Sequence, residues 1–360
     1  MTQATQMHLG ATSGSMLTSA YRLGPVIGEG GMGAVFRARQ VDTGHDVAIK
    51  VLYPDYARDV ELVKRFEREA RSVARLDHPN IVRVIEFGTS ADGTKFIAME
   101  LLEGVELHDL ISGPFEPRRA VELALQIVRG LEHAHAQGVV HRDLKLQNIF
   151  VTRDSAGHDL LKLVDFGLAK IIHGDGSLEQ MTRAGMVFGT PQFMSPEQAL
   201  GLDIDARADL YAVGVLLYAF VTGRLPFDHD DPLTVVRMQI SNEVPPLPPA
   251  IPPPLTAIIV RLLAKQKERR FPDAGALREA LERFLGAWTP GKDKYDTLLK
   301  LIAGPEPPAP DAARPLPSAL RPRTLRGADT PLLARPAVRL ALLGGLLLLA
   351  AVVAWLLTRP

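Results

Sequence analysis

Residues 141–148 read His-Arg-Asp-Leu-Lys-Leu-Gln-Asn, and residues 165–167, further along the chain, read Asp-Phe-Gly. These two short segments carry two carboxylates, a cation and an amide: Asp143, Asp165, Lys145 and Asn148. A reaction that moves the γ-phosphoryl group of Mg·ATP needs oxygen ligands for the metal, a group that orients the incoming hydroxyl and a cation for the developing charge. The four side chains meet all three needs. An ordinary surface turn is the alternative interpretation, which Asn148 and Asp165 at this spacing disfavour.

A glycine-rich segment near the amino terminus is the second motif. Residues 28–35 read Gly-Glu-Gly-Gly-Met-Gly-Ala-Val. Glycine allows the backbone to approach phosphates closely and to adopt positive φ. A dinucleotide site or an ordinary hairpin could show the same pattern. Because the segment lies between two predicted strands, and not between a strand and a helix, the sequence favours a hairpin that covers phosphates.

The composition excludes several kinds of chemistry. Lysine plus arginine and aspartate plus glutamate number 41 each, so the formal net charge is zero and no bias toward nucleic acid is expected. Cysteine is absent, which excludes disulfides, thiolate catalysis and cysteine-ligated zinc, and fits a reducing compartment. The first residues, Met1–Ser19, lack a basic segment followed by an apolar run, so they are not a signal peptide.

The hydrophobic period changes partway along the chain. Short β-rich runs come first, at Tyr21–Ile27, Ala34–Gln40, Asp46–Val51, Ile81–Phe87 and Lys95–Leu101, with one helix from about Val60 to Leu76 between them. Helical patterns follow, at Pro117–Gln137, Arg207–Thr222, Leu255–Leu263 and Ala274–Leu285. The sequence predicts a small sheet lobe, a linker near Leu101–Gly104 and a larger helical lobe. The proline-rich segment Pro245–Pro254 is a spacer or a polyproline recognition motif.

An unbroken apolar run lies near the carboxyl end. Residues 340–357 read LALLGGLLLLAAVVAWLL. About 20 apolar residues are needed to cross a bilayer, so a transmembrane helix is predicted over residues 337–358. A buried core helix is the alternative, but such a helix would show a polar face. Five arginines between residues 321 and 339 precede the run and Arg359 follows it, which predicts that the preceding chain stays cytoplasmic.

These patterns divide the chain into four predicted regions. Residues 1–20 are predicted to be disordered. Residues 21–288 form the globular domain, with an amino-terminal lobe over 21–102 and a carboxy-terminal lobe over 103–288. Residues 289–336 are rich in proline, alanine and arginine, a composition typical of an extended linker beside a membrane. Residues 337–358 are the predicted transmembrane helix.

The ordered set of motifs resembles that of the protein kinase superfamily and, within it, the bacterial Hanks-type serine/threonine kinases. The resemblance covers roughly Tyr21 to Leu285. It implies an α+β, bilobal kinase fold and phosphotransfer from ATP with Mg²⁺, or with Mn²⁺ in its place. Lysine two positions after Asp143 is the serine/threonine signature. Leu146 stands where proline is common, a departure that removes some rigidity but no chemical group.

The resemblance assigns roles to the catalytic side chains. Asp143 would accept a hydrogen bond from the substrate hydroxyl, Lys145 would neutralise charge on the γ-phosphoryl group, and Asn148 and Asp165 would bind Mg²⁺. Lys50 ends the apolar segment of residues 47–50 and would hold the α- and β-phosphates, although a surface lysine on an edge strand is the alternative. Glu69 would hold Lys50, which leaves Glu67 facing solvent.

The resemblance also implies an adenine slot. Met99 would be its gatekeeper, and backbone groups of Glu100 and Leu102 would bind adenine. Val35, Ala48 and Phe150 would line its apolar walls, or could equally be plain core. The predicted ATP-binding residues are Ile27, Gly28, Glu29, Gly30, Gly31, Met32, Gly33, Ala34, Val35, Ala48, Lys50, Met99, Glu100, Leu102 and Phe150.

Regulation is implied by the segment from Asp165 to Glu197. Arg142 would pair with a phosphate on that segment. Thr182 and Ser177 are the predicted phosphorylation sites, although both could be ordinary loop residues. Thr190 would contact Asp143 and Lys145 and position the substrate.

Three further residues have structural roles by the same resemblance. Residues 195–197 read Ser-Pro-Glu, where the family usually has Ala-Pro-Glu. Glu197 would pair with Arg270 and anchor the segment to the helical lobe. Asp209 would hold the backbone of residues 141–143.

The leading hypothesis is a membrane-anchored serine/threonine kinase that phosphorylates itself and cytoplasmic proteins in signal transduction. It would span the cytoplasmic membrane once, face the cytoplasm, self-associate for phosphorylation in trans and bind no nucleic acid. An ATP-binding pseudokinase scaffold is the first alternative, and no catalytic position is missing to favour it. A small-molecule phosphotransferase is the second, against which stand the segment Gly189–Glu197 and Arg270.

Overall fold

A computed structural model describes residues 13–30, 33–53, 67, 70–166 and 190–287. All of them lie in the first of the two units into which the chain divides, Met1–Glu306. Several predictions fall outside the described residues: those for Gly31, Met32, Glu69, Ser177, Thr182, the linker and the residues 337–358. In the part of the chain that is described, no helix combines the length and the apolar character needed to cross a membrane.

Five antiparallel strands form the sheet of the amino-terminal lobe. They are β1 (Tyr21–Gly30), β2 (Gly33–Gln40), β3 (Asp46–Leu52), β4 (Val84–Thr89) and β5 (Lys95–Glu100), in the order β1-β2-β3-β5-β4. One face of this sheet buries a core that includes Phe36, Ile49 and Phe96. Strand β3 therefore lies at the centre of the sheet. It is paired with β2 on one side and β5 on the other, so its residues are firmly positioned.

Among the described residues before β1, those at positions 14–17 pair with that strand, contrary to the predicted disorder of residues 1–20. Gly14 donates its N–H to the carbonyl of Leu23 over 2.8 Å, and Leu23 donates to Ser15 over 2.9 Å. The Leu17 side chain is only 8% exposed and joins the core of the sheet. The prediction was wrong for residues 13–20 because pairing with β1 satisfies their backbone groups while Leu17 supplies apolar burial.

A backbone connection joins the segment before β4 to the carboxy-terminal lobe. The predicted strand at Ile81 begins instead at Val84, since Ile81 forms a parallel bridge with Leu163. Val82 donates its N–H to the Leu163 carbonyl, and Leu163 donates to the Asn80 carbonyl, both over 2.9 Å. The two lobes are thus linked through the strand that leads to residue 165.

A second sheet of three short antiparallel strands opens the carboxy-terminal lobe. It contains β6 (Val105–Glu106), β7 (Ile149–Arg153) and β8 (Asp159–Leu163) in that order. The sequence did not predict these strands. Residues 146–148, which form a 3₁₀ turn, lead directly into β7, and β8 is followed by Val164 and Asp165. The β7–β8 hairpin therefore carries the two short motifs side by side.

Helices make up the rest of this lobe: α1 (Leu107–Leu110), α2 (Pro117–Ala136), α3 (Pro196–Ala199), α4 (Arg207–Thr222), α5 (Pro232–Ser241), α6 (Pro253–Leu262) and α7 (Ala274–Ala287). Helix α4 is buried from Ala208 to Val221 and is the central element. A Cβ atom at Gly214 would lie 2.7 Å from the Cβ of Leu262, so glycine is what allows α6 to pack this closely on α4. The α+β, bilobal architecture predicted from the sequence is confirmed.

Candidate active site

Two residues of the motif segments have strained backbones. Arg142 has φ of 63° and Asp165 has φ of 56°, and among the described residues they alone have positive φ without being glycine. Such conformations cost on the order of 1–3 kcal/mol each and persist only where the surroundings hold them. The side chains that hold these two residues in place are therefore part of the candidate site.

Asp209, on the first turn of α4, holds the loop of residues 141–143. Its carboxylate accepts the backbone N–H groups of His141 and Arg142, each over 2.8 Å. The third partner is Nε2 of His135, also at 2.8 Å. Burial raises the pKa of Asp209, but the hydrogen bond and charge of His135 and the other contacts outweigh it, so the pKa lies below its ordinary value. The contact predicted for Asp209 is present, whereas the role of His135 was not foreseen.

Gln198 holds the same loop from the other side. Its Nε2 atom donates to the Arg142 carbonyl over 2.8 Å. Its Oε1 atom accepts the N–H of Ser195, whose hydroxyl accepts the N–H of Gln198 in return. This reciprocal cap of α3 is the physical reason for serine at position 195. Residues 195–198 match the Ser-x-x-Gln capping signature, which could have revealed the contact.

His141 connects the two motif segments through its buried ring. Its Nδ1 atom accepts the N–H of Asp143 over 3.3 Å, so Nε2 carries the proton that binds the Val164 carbonyl at 3.1 Å. The ring lies 4.4 Å from the ring of Phe166, measured between centroids. Burial lowers the pKa of His141, which keeps the imidazole neutral. This contact brings Asp143 and Asp165 to one place.

Asp143, Lys145 and Asn148 form a compact cluster. Oδ2 of Asp143 lies 3.0 Å from Nζ of Lys145 and accepts Nδ2 of Asn148 over 3.0 Å. The same Nδ2 atom also donates to the backbone carbonyl of Asp143 over 2.8 Å. The nitrogen of the Asn148 amide is thus committed to the loop, and its oxygen is the atom that can bind a cation.

Lys50 crosses from β3 to Asp165. Its Nζ atom lies 2.7 Å from Oδ1 of Asp165, and the lysine side chain is only 12% exposed. Burial raises the pKa of Asp165, but the charge and hydrogen bond of Lys50 outweigh it, so the pKa lies below its ordinary value. The sequence paired Lys50 with Glu69, which lies outside the described residues. Lys50 therefore forms an ion pair with Asp165, the residue assigned to metal binding. This ion pair keeps the Asp165 carboxylate charged.

Glu67 is not the solvent-facing residue that the sequence predicted. Its carboxylate lies 3.0 Å from Nζ of Lys95 on β5 and 3.3 Å from the guanidinium of Arg71. The side chain is 24% exposed. The prediction was wrong because a lysine from the neighbouring strand lies within reach of this helix face.

The glycine-rich segment is a β-hairpin. Gly28, Glu29 and Gly30 pair with Val35, Ala34 and Gly33 across β1 and β2. This strand-turn-strand arrangement excludes the strand-turn-helix of a dinucleotide fold. A Cβ atom at Gly33 would lie 2.0 Å from the Val51 carbonyl oxygen, so this glycine is required by strand packing.

The other predicted slot residues lie around this hairpin and β5. Ala48 is buried and pairs with Met99 across β3 and β5. Val35 pairs with Lys50, and Phe150 lies on β7. Ile27 is 51% exposed, which leaves its side chain accessible for a ligand.

Glu100 ends β5 where the linker between the lobes begins. Its side chain accepts Nζ of Lys162 over 2.6 Å and the N–H of Arg83 over 2.8 Å. Its own N–H donates to the Arg83 carbonyl. That N–H is therefore already used within the protein, and the binding of adenine by the Glu100 backbone stays a prediction. Leu102 follows in a segment without regular structure.

Glu197 and Arg270 form the predicted ion pair. Two hydrogen bonds of 2.6 Å and 2.7 Å join the carboxylate to the guanidinium, and the arginine side chain is 0% exposed. Arg270 also donates to the carbonyls of Ala264, Arg207 and Lys265. The ion pair therefore fixes α3, and with it the carboxyl end of the segment from residue 165.

Thr190 lies at the start of the 3₁₀ turn Pro191–Phe193 and is half-buried. Within the described ranges its hydroxyl has no hydrogen-bond partner, so the predicted contact with Asp143 and Lys145 is not present. Its role in positioning the substrate stays a prediction.

The site supplies oxygen atoms of the kind that Mg²⁺ prefers. The Asp165 carboxylate and the Asn148 amide oxygen are hard ligands of the kind that Mg²⁺ prefers. No cluster of three or more His, Cys, Asp or Glu side chains able to hold a metal occurs among the described residues. A Mg²⁺ ion here would complete its shell with water and substrate phosphates, which is usual for this ion. The residues present therefore fit Mg·ATP.

The chain matches known proteins over the region just described. The family model described as "Protein kinase domain" matches residues 21–282. Serine/threonine-protein kinase pkn3 of Myxococcus xanthus is 43% identical over 75% of this chain and 50% of the relative. Serine/threonine-protein kinase PknB of Mycobacterium tuberculosis is 38% identical over 76% of this chain and 44% of the relative.

A solved structure agrees with the fold. The crystal structure of the Mycobacterium tuberculosis PknI kinase domain has a TM-score of 0.56 and 25% sequence identity, and the match covers 76% of this chain and 99% of that one. The chain spans about half the length, or less, of the curated relatives named above.

Proposed function

This chain belongs to the protein kinase family, among the bacterial Hanks-type serine/threonine kinases, and we propose that it transfers the γ-phosphoryl group of Mg·ATP to serine and threonine hydroxyls of proteins. One observation carries the proposal. The Asp143–Lys145–Asn148 cluster and the Lys50–Asp165 pair meet beside a single neutral histidine, with every member held by described contacts. A degraded site would have lost at least one of these groups.

Each residue has a task that follows from its surroundings. Asp143 lies beside Lys145, so it can orient a substrate hydroxyl by accepting its hydrogen bond, while Lys145 would neutralise charge on the transferred group. Lys50, on β3, would hold the phosphates. Asn148 and Asp165 would hold Mg²⁺, which when bound neutralises phosphate charge. Positioning and electrostatic stabilisation together supply most of the rate enhancement in this reaction class.

The first test is the variant Asp143→Asn. We expect phosphotransfer to fall by at least about 10³-fold, because the amide no longer accepts the hydroxyl hydrogen bond as a carboxylate does, whereas ATP affinity changes little. Phosphate incorporation into the protein itself and into an added protein, with nucleotide binding by calorimetry, would measure both. Asp154→Asn, the same change in an exposed turn, is the matched control.

The results separate the candidate functions. Activity of Asp143→Asn equal to that of the wild type would refute the assignment of Asp143. A wild-type protein that binds ATP but phosphorylates nothing would favour a pseudokinase scaffold. Turnover of a metabolite without protein phosphorylation would favour a small-molecule phosphotransferase.

We further propose that residues 337–358 anchor the protein in the cytoplasmic membrane as a single span, with the kinase domain in the cytoplasm. The support is the uninterrupted apolar run of residues 340–357 and the arginine excess before it. Self-association at the membrane would allow phosphorylation in trans on Thr182 or Ser177, and Arg142 would pair with the added phosphate.

Fractionation of cells tests the anchor. The full chain should remain in the membrane fraction after a carbonate wash, and a variant that ends at Pro290 should move to the soluble fraction with its kinase activity retained. Membrane association of the shortened variant would contradict the single anchor. Mapping of phosphate on the active and Asp143→Asn proteins tests the regulatory sites.

A further inference from the structure

Helix α5 carries a glutamine on its buried face. The buried residues of this helix are Val235, Val236 and Gln239, and Gln239 is 0% exposed. Val236 packs with Met194 and Ala199, so this face lies against the segment that precedes α4. An amide buried without partners costs about 1–3 kcal/mol, so what Gln239 binds decides why it is there.

Gln239 uses both ends of its amide. Its Oε1 atom accepts the hydroxyl of Tyr211 over 2.5 Å. Its Nε2 atom donates to the carbonyl of Gln192 over 2.5 Å and to that of Pro191 over 3.2 Å. A reversed amide would turn its oxygen toward two carbonyl oxygens, so these bonds fix one orientation. The glutamine thereby ties the turn at Pro191–Phe193 to α4 and α5.

Lys265 binds the backbone of helix α5 at Gln239. Its Nζ atom donates to the carbonyls of Gln239 and Met238, over 2.8 Å and 3.3 Å, near the carboxyl end of α5. It also donates to the Tyr211 hydroxyl over 3.3 Å and lies 4.1 Å above the centre of the Phe227 ring. A cation at a helix carboxyl end is favourable, so the position of α5 is fixed on the side away from the turn.

Tyr211 is where two anchors of the same segment meet. The guanidinium carbon of Arg270 lies 4.8 Å from the centre of the Tyr211 ring, and Arg270 binds Glu197. The Tyr211 hydroxyl binds Gln239. The segment from Pro191 to Glu197 is therefore held at its end by an ion pair and at its beginning by an amide, and the Tyr211 side chain contacts both of these anchors.

We propose that Gln239 is a positioning residue for the protein substrate. By holding the carbonyls of Pro191 and Gln192, it sets the position of Thr190 and the turn relative to Asp143, and so affects the binding of protein substrates but not of ATP. This inference rests on the proposed kinase function, since the turn is the substrate platform only in that case. The ATP-side residues Lys50, Asn148 and Asp165 share no contact with Gln239 in the part of the chain that is described.

Two substitutions separate the bonds that Gln239 makes. Gln239→Glu retains an acceptor for the Tyr211 hydroxyl but sets a carboxylate against the carbonyls of Pro191 and Gln192. Gln239→Met fills the same volume and removes every side-chain hydrogen bond. Leu277→Ala, at a fully buried position of α7, lowers stability without touching the turn and is the matched control.

The assay uses the full chain, with dephosphorylated casein as the protein substrate. We expect both Gln239 variants to raise the KM for casein about tenfold or more, the equivalent of one lost buried bond, with the KM for ATP within about twofold of wild type. Leu277→Ala should lower Tm and leave the KM for casein unchanged. An unchanged KM for casein in the Gln239 variants, or equal rises of both KM values in all three variants, would overturn the proposal.

Hydrogen exchange gives a readout that needs no activity. The N–H groups of Phe193 and Met194 bind the carbonyls of Thr190 and Pro191 within the turn. Faster exchange of these two amides in Gln239→Met, but not in Leu277→Ala, supports the tether. No difference refutes it. If the wild type phosphorylates nothing, the proposed function fails, and the exchange rates still decide whether Gln239 holds the turn.

Discussion

At the scale of single residues, the site depends on strain that neighbouring side chains maintain. Arg142 has φ of 63°, and Asp209 and Gln198 hold its N–H and its carbonyl. No local sequence preference would give an arginine this conformation, since the left-handed region favours glycine, asparagine and aspartate. The strained loop therefore depends on groups far away in sequence.

Replacement of Asp209 tests that dependence. We expect Asp209→Asn to lower the free energy of unfolding by about 1–3 kcal/mol, because the amide nitrogen faces donors that a carboxylate oxygen accepted. Activity should fall as well, since the loop carries Asp143. Urea unfolding and phosphate transfer measure the two effects. Asp231→Asn is the control, because asparagine caps a helix as well as aspartate does. Equal stability of both variants would contradict this account.

The neutral, buried His141 predicts acid sensitivity. Its folded pKa is lowered from 6.5 by burial, so the unfolded chain binds more protons in the range just below pH 6.5. Its contribution to stability is present above about pH 6.5 and is lost as the pH falls below that value. Asp165 and Asp209, whose pKa values are lowered from 3.8, add their own loss only at more acidic pH.

The measurement is Tm between pH 7.5 and pH 5. The fall in Tm should be smaller for His141→Gln than for wild type, even if the variant starts lower. His158→Gln, which replaces an imidazole that is 79% exposed, should keep the wild-type slope. A wild-type slope in His141→Gln would mean that another group controls the acid response.

At the scale of elements, the short helix α3 is held by one buried ion pair. Removing one partner of such a pair leaves a buried charge and costs about 3–5 kcal/mol. We therefore expect Arg270→Met to destabilise the protein by that amount, and Arg270→Met with Glu197→Leu to cost less than the sum of the single changes. Arg278→Met removes salt bridges to Glu132 and Glu282, and because the Arg278 side chain is 29% exposed, it should cost about 1 kcal/mol or less. Strict additivity in the urea midpoints would contradict the coupling.

Elements with a strong hydrophobic period could be predicted from the sequence. Elements that form only because they pair with another segment could not. Strands β2, β3 and β5 and helices α2 and α4 were placed to within one residue at each end, whereas β1 was predicted to end at Ile27 and ends at Gly30. Strand β6 has only two residues and exists because Val151 and Phe150 pair with it. The conformation of residues 13–20 likewise depends on their hydrogen bonds to β1.

The candidate site shows the same division. The motif residues could be identified from their order, but their contacts come from tertiary structure. Lys50 and Asp165 meet at 2.7 Å across the two lobes, a distance that no spacing in the sequence reveals. Gln198 carried a recognisable capping signature, and α5 began with Asp231 followed by proline, a helix-start signal that was overlooked. Gln239 gave no signal, because an isolated glutamine does not reveal its burial.

At the scale of the whole molecule, the proposed ATP site is made from both lobes. Lys50 comes from the first sheet, whereas Asn148 and Asp165 flank the β7–β8 hairpin of the second. Backbone bonds between Val82, Asn80 and Leu163 and the pair Glu100–Lys162 already join the lobes. A ligand that touches both sets of residues should therefore stabilise the molecule as one unit.

Thermal unfolding with and without metal tests this arrangement. At 100 times Kd, Mg·ATP should stabilise the folded protein by about 2.7 kcal/mol, because it binds only the folded state. ATP with EDTA should stabilise it less, since Asn148 and Asp165 then bind no ion, and Asp165→Asn should lose most of the difference between the two conditions. Asp159→Asn, at the exposed start of β8, should keep that difference. An equal shift with and without Mg²⁺ in the wild type would show that nucleotide binds without the oxygen ligands that the fold brings together.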